Sequence, residues 1–261
     1  MVGTEIGDLF RHGRLAEAIA AAGLAVRQAP TDVAARMLLA EFLLFAADFE
    51  RADAVVAAAE TLDPNTALTV AEFRQLLRAE AARRQLFEEG RLPDFVGGPT
   101  PDQEAALASL VAQRADDGGG ARVAAETAES IRPVVACAVN GREVDDFRDA
   151  DDLIGGSLEV LATTGRYFWI PLARIVSLEC HAPRRPRDLY WRRCTMVVRD
   201  GPQGDVYLPT LYEALGTDDG LRLGRRTEWS DGAPVRGLGL RMFLAGDEGV
   251  AITELRSVEF A

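Results

Sequence analysis

The sequence predicts an α+β protein, with a helical-repeat region over 1–130 and a mostly antiparallel β region over 131–261. Three observations carry that expectation. The first is a repeat of period 34, in which Gly13, Leu15, Ala18, Ala22, Ala25 and Pro30 return as Ala47, Phe49, Ala52, Val56, Ala59 and Pro64. Small residues at helix crossings with that period mark tetratricopeptide-like helix pairs. The second is a break rich in proline and glycine over 93–101, and the third is a change after Pro133 to short β-prone runs separated by turn residues.

Residues 4–30 read as a helix pair turning at Arg11-His12-Gly13. Its second helix, 16–29, stops before Pro30 because the residue preceding a proline resists α geometry. Thr31 and Asp32 supply N-cap chemistry for the next helix, 33–45, which carries Met37, Leu38, Leu39, Phe42, Leu43 and Leu44. A fourth helix runs from about 50 to 62 and stops at Asp63-Pro64. A third unit over 66–89 ends in Leu86-Phe87-Glu88-Glu89-Gly90-Arg91-Leu92, which echoes Leu9-Phe10-Arg11-His12-Gly13-Arg14-Leu15 out of period, as an atypical terminal repeat would. Beyond the break, Asp102 opens a helix through Arg114, Asp116-Asp117-Gly118-Gly119-Gly120 is a flexible turn, and 121–130 closes the helical part.

In the second half, 134–139 is β-prone and ends at Asn140-Gly141, a strong turn dipeptide. Strands are expected at 158–163, 167–172 and 174–179, the first two joined through Thr164-Gly165. Others are expected at 194–199, 205–208, 239–244 and 250–255.

The charge balance narrows the function. Formal net charge is −12, with 12 Arg and 21 acidic residues over 1–130 (net −9) and 17 and 20 over 131–261 (net −3). A nucleic-acid binder would show a basic face instead. The acidic front half would steer a basic partner surface. Cys137, Cys180 and Cys194 form no CxxC unit and cannot all pair, which fits a reducing compartment. The first ten residues hold Glu5 and Asp8 where a secretory leader would be basic and then apolar, and no window nears 18 uninterrupted apolar residues. Cytoplasmic residence without membrane contact is the expectation.

Catalytic and metal signatures are sparse. The histidines are His12 and His181, so Cys180-His181 has no second cluster with which to bind zinc. There is no GxSxG elbow, P-loop or GxGxxG, and Gly237-Leu-Gly-Leu is too short to be one. No cofactor is expected. Five aspartates crowd Asp145-Asp146-Phe147-Arg148-Asp149-Ala150-Asp151-Asp152, but without the glycine and distal glutamate of an EF-hand loop they read first as a solvated loop.

The run Arg184-Arg185-Pro186-Arg187-Asp188-Leu189-Tyr190-Trp191-Arg192-Arg193 holds five arginines among two aromatics. Pairing with the aspartate run or with helical glutamates comes first. A protein-binding surface through Arg187, Tyr190 and Trp191 comes second, and RNA contact last. In the second helix pair Met37, Glu41, Leu44 and Phe45 face inward, either as core or as a groove for an amphipathic helix.

Several strings together resemble the ImpE/TagJ family of type VI secretion accessory proteins. They are Asn140-Gly-Arg-Glu-Val-Asp-Asp-Phe-Arg-Asp-Ala-Asp-Asp-Leu, Gly165-Arg-Tyr-Phe-Trp-Ile-Pro-Leu and Arg187-Asp-Leu-Tyr-Trp-Arg, with Val206-Tyr-Leu-Pro, Arg225-Arg-Thr-Glu-Trp and Gly239-Leu-Arg-Met-Phe. The resemblance spans nearly the whole chain. It implies a non-enzymatic adaptor that binds a helix of the small sheath subunit (TssB) and the AAA+ unfoldase ClpV, with no catalytic residue to carry over. The competing expectation is an enzyme whose site lies around Arg187, Trp191 and the aspartate run. That enzyme would need convergent carboxylates with shifted pKa values in a polar pocket.

Overall fold

The computed structural model describes residues 2–213, 216 and 218–261. Helices α1 (Val2–Arg11) and α2 (Leu15–Gln28) form one pair, and α3 (Val33–Phe45) and α4 (Phe49–Leu62) the next. The period of 34 is a geometric repeat. α1 and α3 end 34 residues apart, and so do the starts and the ends of α2 and α4. Each pair turns through a left-handed residue, Gly13 at φ +82° and Ala47 at φ +56°. The small residues of the repeat, Ala18, Ala22, Ala52, Val56 and Ala59, are buried where helices cross.

The third unit differs from a repeat. α5 (Ala67–Glu89) is one helix of 23 residues. Gly90, at φ +79°, gives it a left-handed cap, with its N–H on Leu86 O and that of Arg91 on Gln85 O. The echo of the first turn therefore reproduces the cap but opens no second helix. The chain instead runs extended, and Asp94 bridges to a sheet edge, donating to Tyr167 O at 2.8 Å and accepting from Trp169 N at 3.1 Å. α6 (Pro101–Arg114) and α7 (Gly118–Ile131) follow as a hairpin. Gly118, Gly119 and Gly120, expected as a turn, lie in the first turn of α7, because the Asp117 carboxylate caps the N–H of Gly120 at 2.9 Å.

The strands are β1 (Cys137–Val139), β2 (Arg142–Val144), β3 (Phe147–Asp149), β4 (Ser157–Ala162), β5 (Tyr167–Pro171), β6 (Ile175–Cys180), β7 (Trp191–Val198), β8 (Gln203–Pro209), β9 (Thr227–Trp229), β10 (Gly237–Gly239), β11 (Met242–Ala245), β12 (Glu248–Ala251) and β13 (Ser257–Phe260). A short helix, α8 (Asp219–Arg222), precedes β9. One antiparallel sheet has the order β2-β1-β13-β6-β7-β8-β4-β5, a second β12-β11-β3, and β9 pairs with β10. The mostly antiparallel expectation thus describes the second half. Asn140 (φ +53°) and Gly141 (φ +83°) make the tight turn between β1 and β2. The single strand expected at 239–244 divides into β10 and β11 around Leu240-Arg241.

Alternation along the strands gives the large sheet two buried faces. Leu158, Val160, Ile170, Cys194, Met196 and Leu208 face a core completed by Phe147 and Phe243 of the smaller sheet. Leu161, Trp191 and Tyr207 join the core of α1–α5, and Tyr167 and Trp169 join Leu86, Ala106 and Leu110 of α5 and α6. Two of the three cores therefore contain residues from both halves of the chain.

Candidate partner-binding surface

The seven residues singled out by sequence fall at the seam between helices and sheet. Leu44, Phe45 and Trp191 are fully buried, Glu41, Arg187 and Tyr190 nearly so, and Met37 is partly buried against the same core. The 3-10 turn Pro186–Leu189 and Tyr190-Trp191 lie across α3 and α5. Phe45 meets the Tyr190 ring edge-on at 5.3 Å, and Phe73 meets Trp191 at 5.7 Å. Arg187 Nη2 donates to Glu72 at 2.6 Å, while its Nε and Nη1 lack hydrogen-bond partners and its guanidinium lies 5.7 Å from the Phe73 ring. Arg185 stands 4.0 Å from Glu41. The stripe on α3 is thus closed over by the chain's own aromatic segment rather than open as a groove. Within the arginine run Arg185 and Arg187 face helical glutamates and Arg193 pairs with Asp205 of β8; among the described residues none pairs with the aspartate run.

The aspartate run is not a solvated loop. Asp149 and Asp151 are buried. Arg241 donates from Nη1 to Asp149 at 2.8 Å and from Nη2 to Glu159. Arg83 of α5 holds Glu159 at 2.8 Å and Glu80 at 3.2 Å, and Trp191 Nε1 donates to Glu80 at 2.9 Å. Tyr167 also donates to Glu159, and Arg236 and the Gly237 N–H hold Asp151. Burial works to raise Glu159, but two adjacent arginines outweigh it and hold the carboxyl down to about 2. Burial, with Asp151 nearby, pushes Asp149 up to about 7 despite Arg241. This closed network ties α5, β4 and the segment before β11 together; its carboxylates bond to arginines rather than facing an open cleft.

One exposed group brings a hydroxyl, an imidazole and a carboxylate together. Thr195 Oγ1 donates to Asp205 at 3.0 Å and lies 2.9 Å from His181 Nε2. The same His181 nitrogen is the one facing Asp205, at 3.9 Å, so the ring cannot relay a proton between the two as a triad does. Among the described residues no cluster of three or more His, Cys, Asp or Glu could hold a metal ion, and no helix is long and apolar enough to cross a membrane.

The open surface beside the seam is a groove of about 610 Å³. Phe10 and Arg11 of α1, Leu38 and Phe42 of α3, Arg184, Arg185 and Leu189 of the β6–β7 connection, and Leu223, Arg225 and Leu240 line it. Phe10 and Phe42 stack at 4.8 Å to make its floor. Arg225 closes one end, donating to the last carbonyls of α1, Phe10 O at 2.8 Å and Arg11 O at 2.6 Å. Sequence reading found parts of this wall, in Arg184-Arg185 and in the Arg225 string. Their convergence with α1 and α3 has no local signature.

Over 256 residues the chain is 30% identical to "Type VI secretion system accessory component TagJ" of Pseudomonas aeruginosa, covering 97% of this chain and 90% of that protein. The chain belongs to the ImpE/TagJ family. The family model described as "ImpE protein" matches residues 141–259, the region holding most of the strings that resembled it. The X-ray crystal structure of protein VPA1032 from Vibrio parahaemolyticus superimposes with a TM-score of 0.91 at 26% identity, covering 98% of this chain and 97% of that one. This ImpE/TagJ-family chain is therefore a homologue of a type VI secretion accessory component, and its architecture occurs in a crystallised protein of similar length.

Proposed function

We propose that this ImpE/TagJ-family protein is a non-enzymatic adaptor of the type VI secretion system. It binds a helix of the small sheath subunit and engages the ClpV-type unfoldase, so that contracted sheath is delivered for disassembly and recycling. The observation that carries this reading is the alignment with TagJ over 97% of the chain. The site chemistry agrees with it, since the buried carboxylates are bonded to arginines and the accessible concavity is lined by apolar and arginine side chains. Helix-in-groove recognition would draw its affinity from apolar burial of roughly 25 cal/mol per Å², offset by ordering costs. Residues 1–130 and 131–261 act together in this reading, because their shared cores leave no hinge at the boundary.

Co-purification tests it. The full-length chain should retain purified small sheath subunit and purified unfoldase at micromolar concentration. Retention of neither would remove the type VI adaptor reading.

A further inference from the structure

The groove between α1, α3 and the β6–β7 connection departs from the charge of the molecule around it. In a chain of net charge −12, its lining contains Arg11, Arg184, Arg185 and Arg225 and no carboxylate. The other large concavities are mixed. The one beside Val160, Ile170 and Met196 has both Arg166 and Asp205, and the one between α4 and α5 sets Glu50, Asp53 and Glu88 against three arginines.

Arg11 pairs with Asp8, but the other three cations of the groove are incompletely neutralised from within. Among the described residues Arg184 has no carboxylate within 4.0 Å, Arg225 bonds only to carbonyls, and Arg185 reaches Glu41 only at 4.0 Å. Asp188 accepts the backbone N–H groups of Arg184 and Arg185, which fixes the loop while leaving both guanidinium groups free to face outward. Between these charges lies an apolar floor, and Leu189 stands 38% exposed at its edge.

An apolar strip bordered by guanidinium groups that are only partly neutralised is complementary to one kind of occupant. We infer that this groove seats an amphipathic helix of the partner polypeptide whose apolar stripe is flanked by carboxylates. Leucine-like side chains at i, i+3/i+4 and i+7 would cover Leu38, Leu189 and Leu223 above the buried Phe10–Phe42 stack, and the flanking carboxylates would meet Arg184 and Arg185. The inference rests on the adaptor reading and adds the place and the charge of the helix. It reverses the expectation drawn from bulk charge, since the docking strip is basic although the helical half is acidic.

The test uses full-length protein and purified small sheath subunit, with affinity followed by fluorescence anisotropy. Arg184→Glu combined with Arg185→Ala alters exposed side chains and avoids placing a second carboxylate beside Glu41. Matched thermal melts would confirm an intact fold. Affinity should fall at least tenfold in this variant, fall with rising salt in the wild type, and stay unchanged in Arg27→Glu on α2, away from the groove. A sheath-subunit variant with arginines replacing the carboxylates that flank its helix should recover affinity for the Arg184→Glu protein. Wild-type binding that the groove variant leaves unchanged would overturn the placement and spare the adaptor reading. A wild type that binds no sheath subunit would end both.

Discussion

Glu41 shows how one residue can be legible in sequence for the wrong reason. Its place on the inward face of α3 marked it as either core or groove, and the structure puts it 4% exposed beneath Arg185 and Arg187. Burial pushes its carboxyl up to about 7, against the pull of Arg187 and Arg185. The folded protein therefore holds a proton that the unfolded chain releases above about pH 4.5. Glu41 must then cost stability as pH rises from about 4.5 to 7. Glu159 has the opposite sign: its contribution is complete above the ordinary carboxylate range and is lost as pH falls toward about 2. Glu41→Gln should shift stability in favour of the variant between pH 4.5 and pH 8 by on the order of 3 kcal/mol. Urea unfolding at the two pH values measures this, and a pH-independent difference would contradict it. Trp191 and Asp149 teach the same lesson. An aromatic among arginines and a run of aspartates look alike whether they face water or each other, and only tertiary pairing decides.

At the scale of elements, the period of 34 was readable because each copy repeats a physical constraint, a small residue at every helix crossing and a left-handed turn between helices. The two turns are not equivalent. Gly13 takes its φ of +82° freely, and an added Cβ would come within 3.1 Å of Arg225 Nη1. Ala47 sits in the same region at φ +56°, where a side chain is disfavoured. Ala47→Gly should therefore raise stability by about 0.5–1 kcal/mol, whereas Gly13→Ala should lower it by about 1–2 kcal/mol. Thermal denaturation of the two variants would show shifts of opposite sign, and shifts of the same sign would refute the asymmetry. β2, β3 and β9, of three residues, and β13, of four, escaped sequence reading because so short a strand shows alternation only where it lies in a longer apolar run, as β1 does within 134–139. The missing second helix after α5 escaped because the Gly90 cap is the same local device whether a helix or an extended segment follows.

For the whole molecule, the change of composition near residue 131 is a boundary in secondary structure rather than in packing. Phe45 and Phe73 lie against Tyr190 and Trp191, and Arg83 against Glu159. Removing either half would strand buried charge as well as apolar surface, at about 3–5 kcal/mol for the broken ion pair alone. Calorimetry of the full chain should show one cooperative transition, and residues 1–131 and 132–261 expressed separately should show none until mixed. Two independent transitions would refute this. The α+β class and the order of the halves were open to sequence. That they share cores was not, because the residues joining them lie far apart in the chain, 76 positions for Arg83 and Glu159 and 111 for Glu80 and Trp191.

The Arg83–Glu159–Arg241 chain of bonds also sets a schedule for synthesis. Arg83 and Arg241 are 158 residues apart, about 8–30 s of translation at about 5–20 residues per second. At first the nascent α5 offers Arg83 only Glu80; Glu159 follows 76 residues later, and Glu159 in turn lacks its second arginine until Arg241 is made. The helical repeats can collapse early, but the seam that joins them to the sheet can close only after Arg241 has been made.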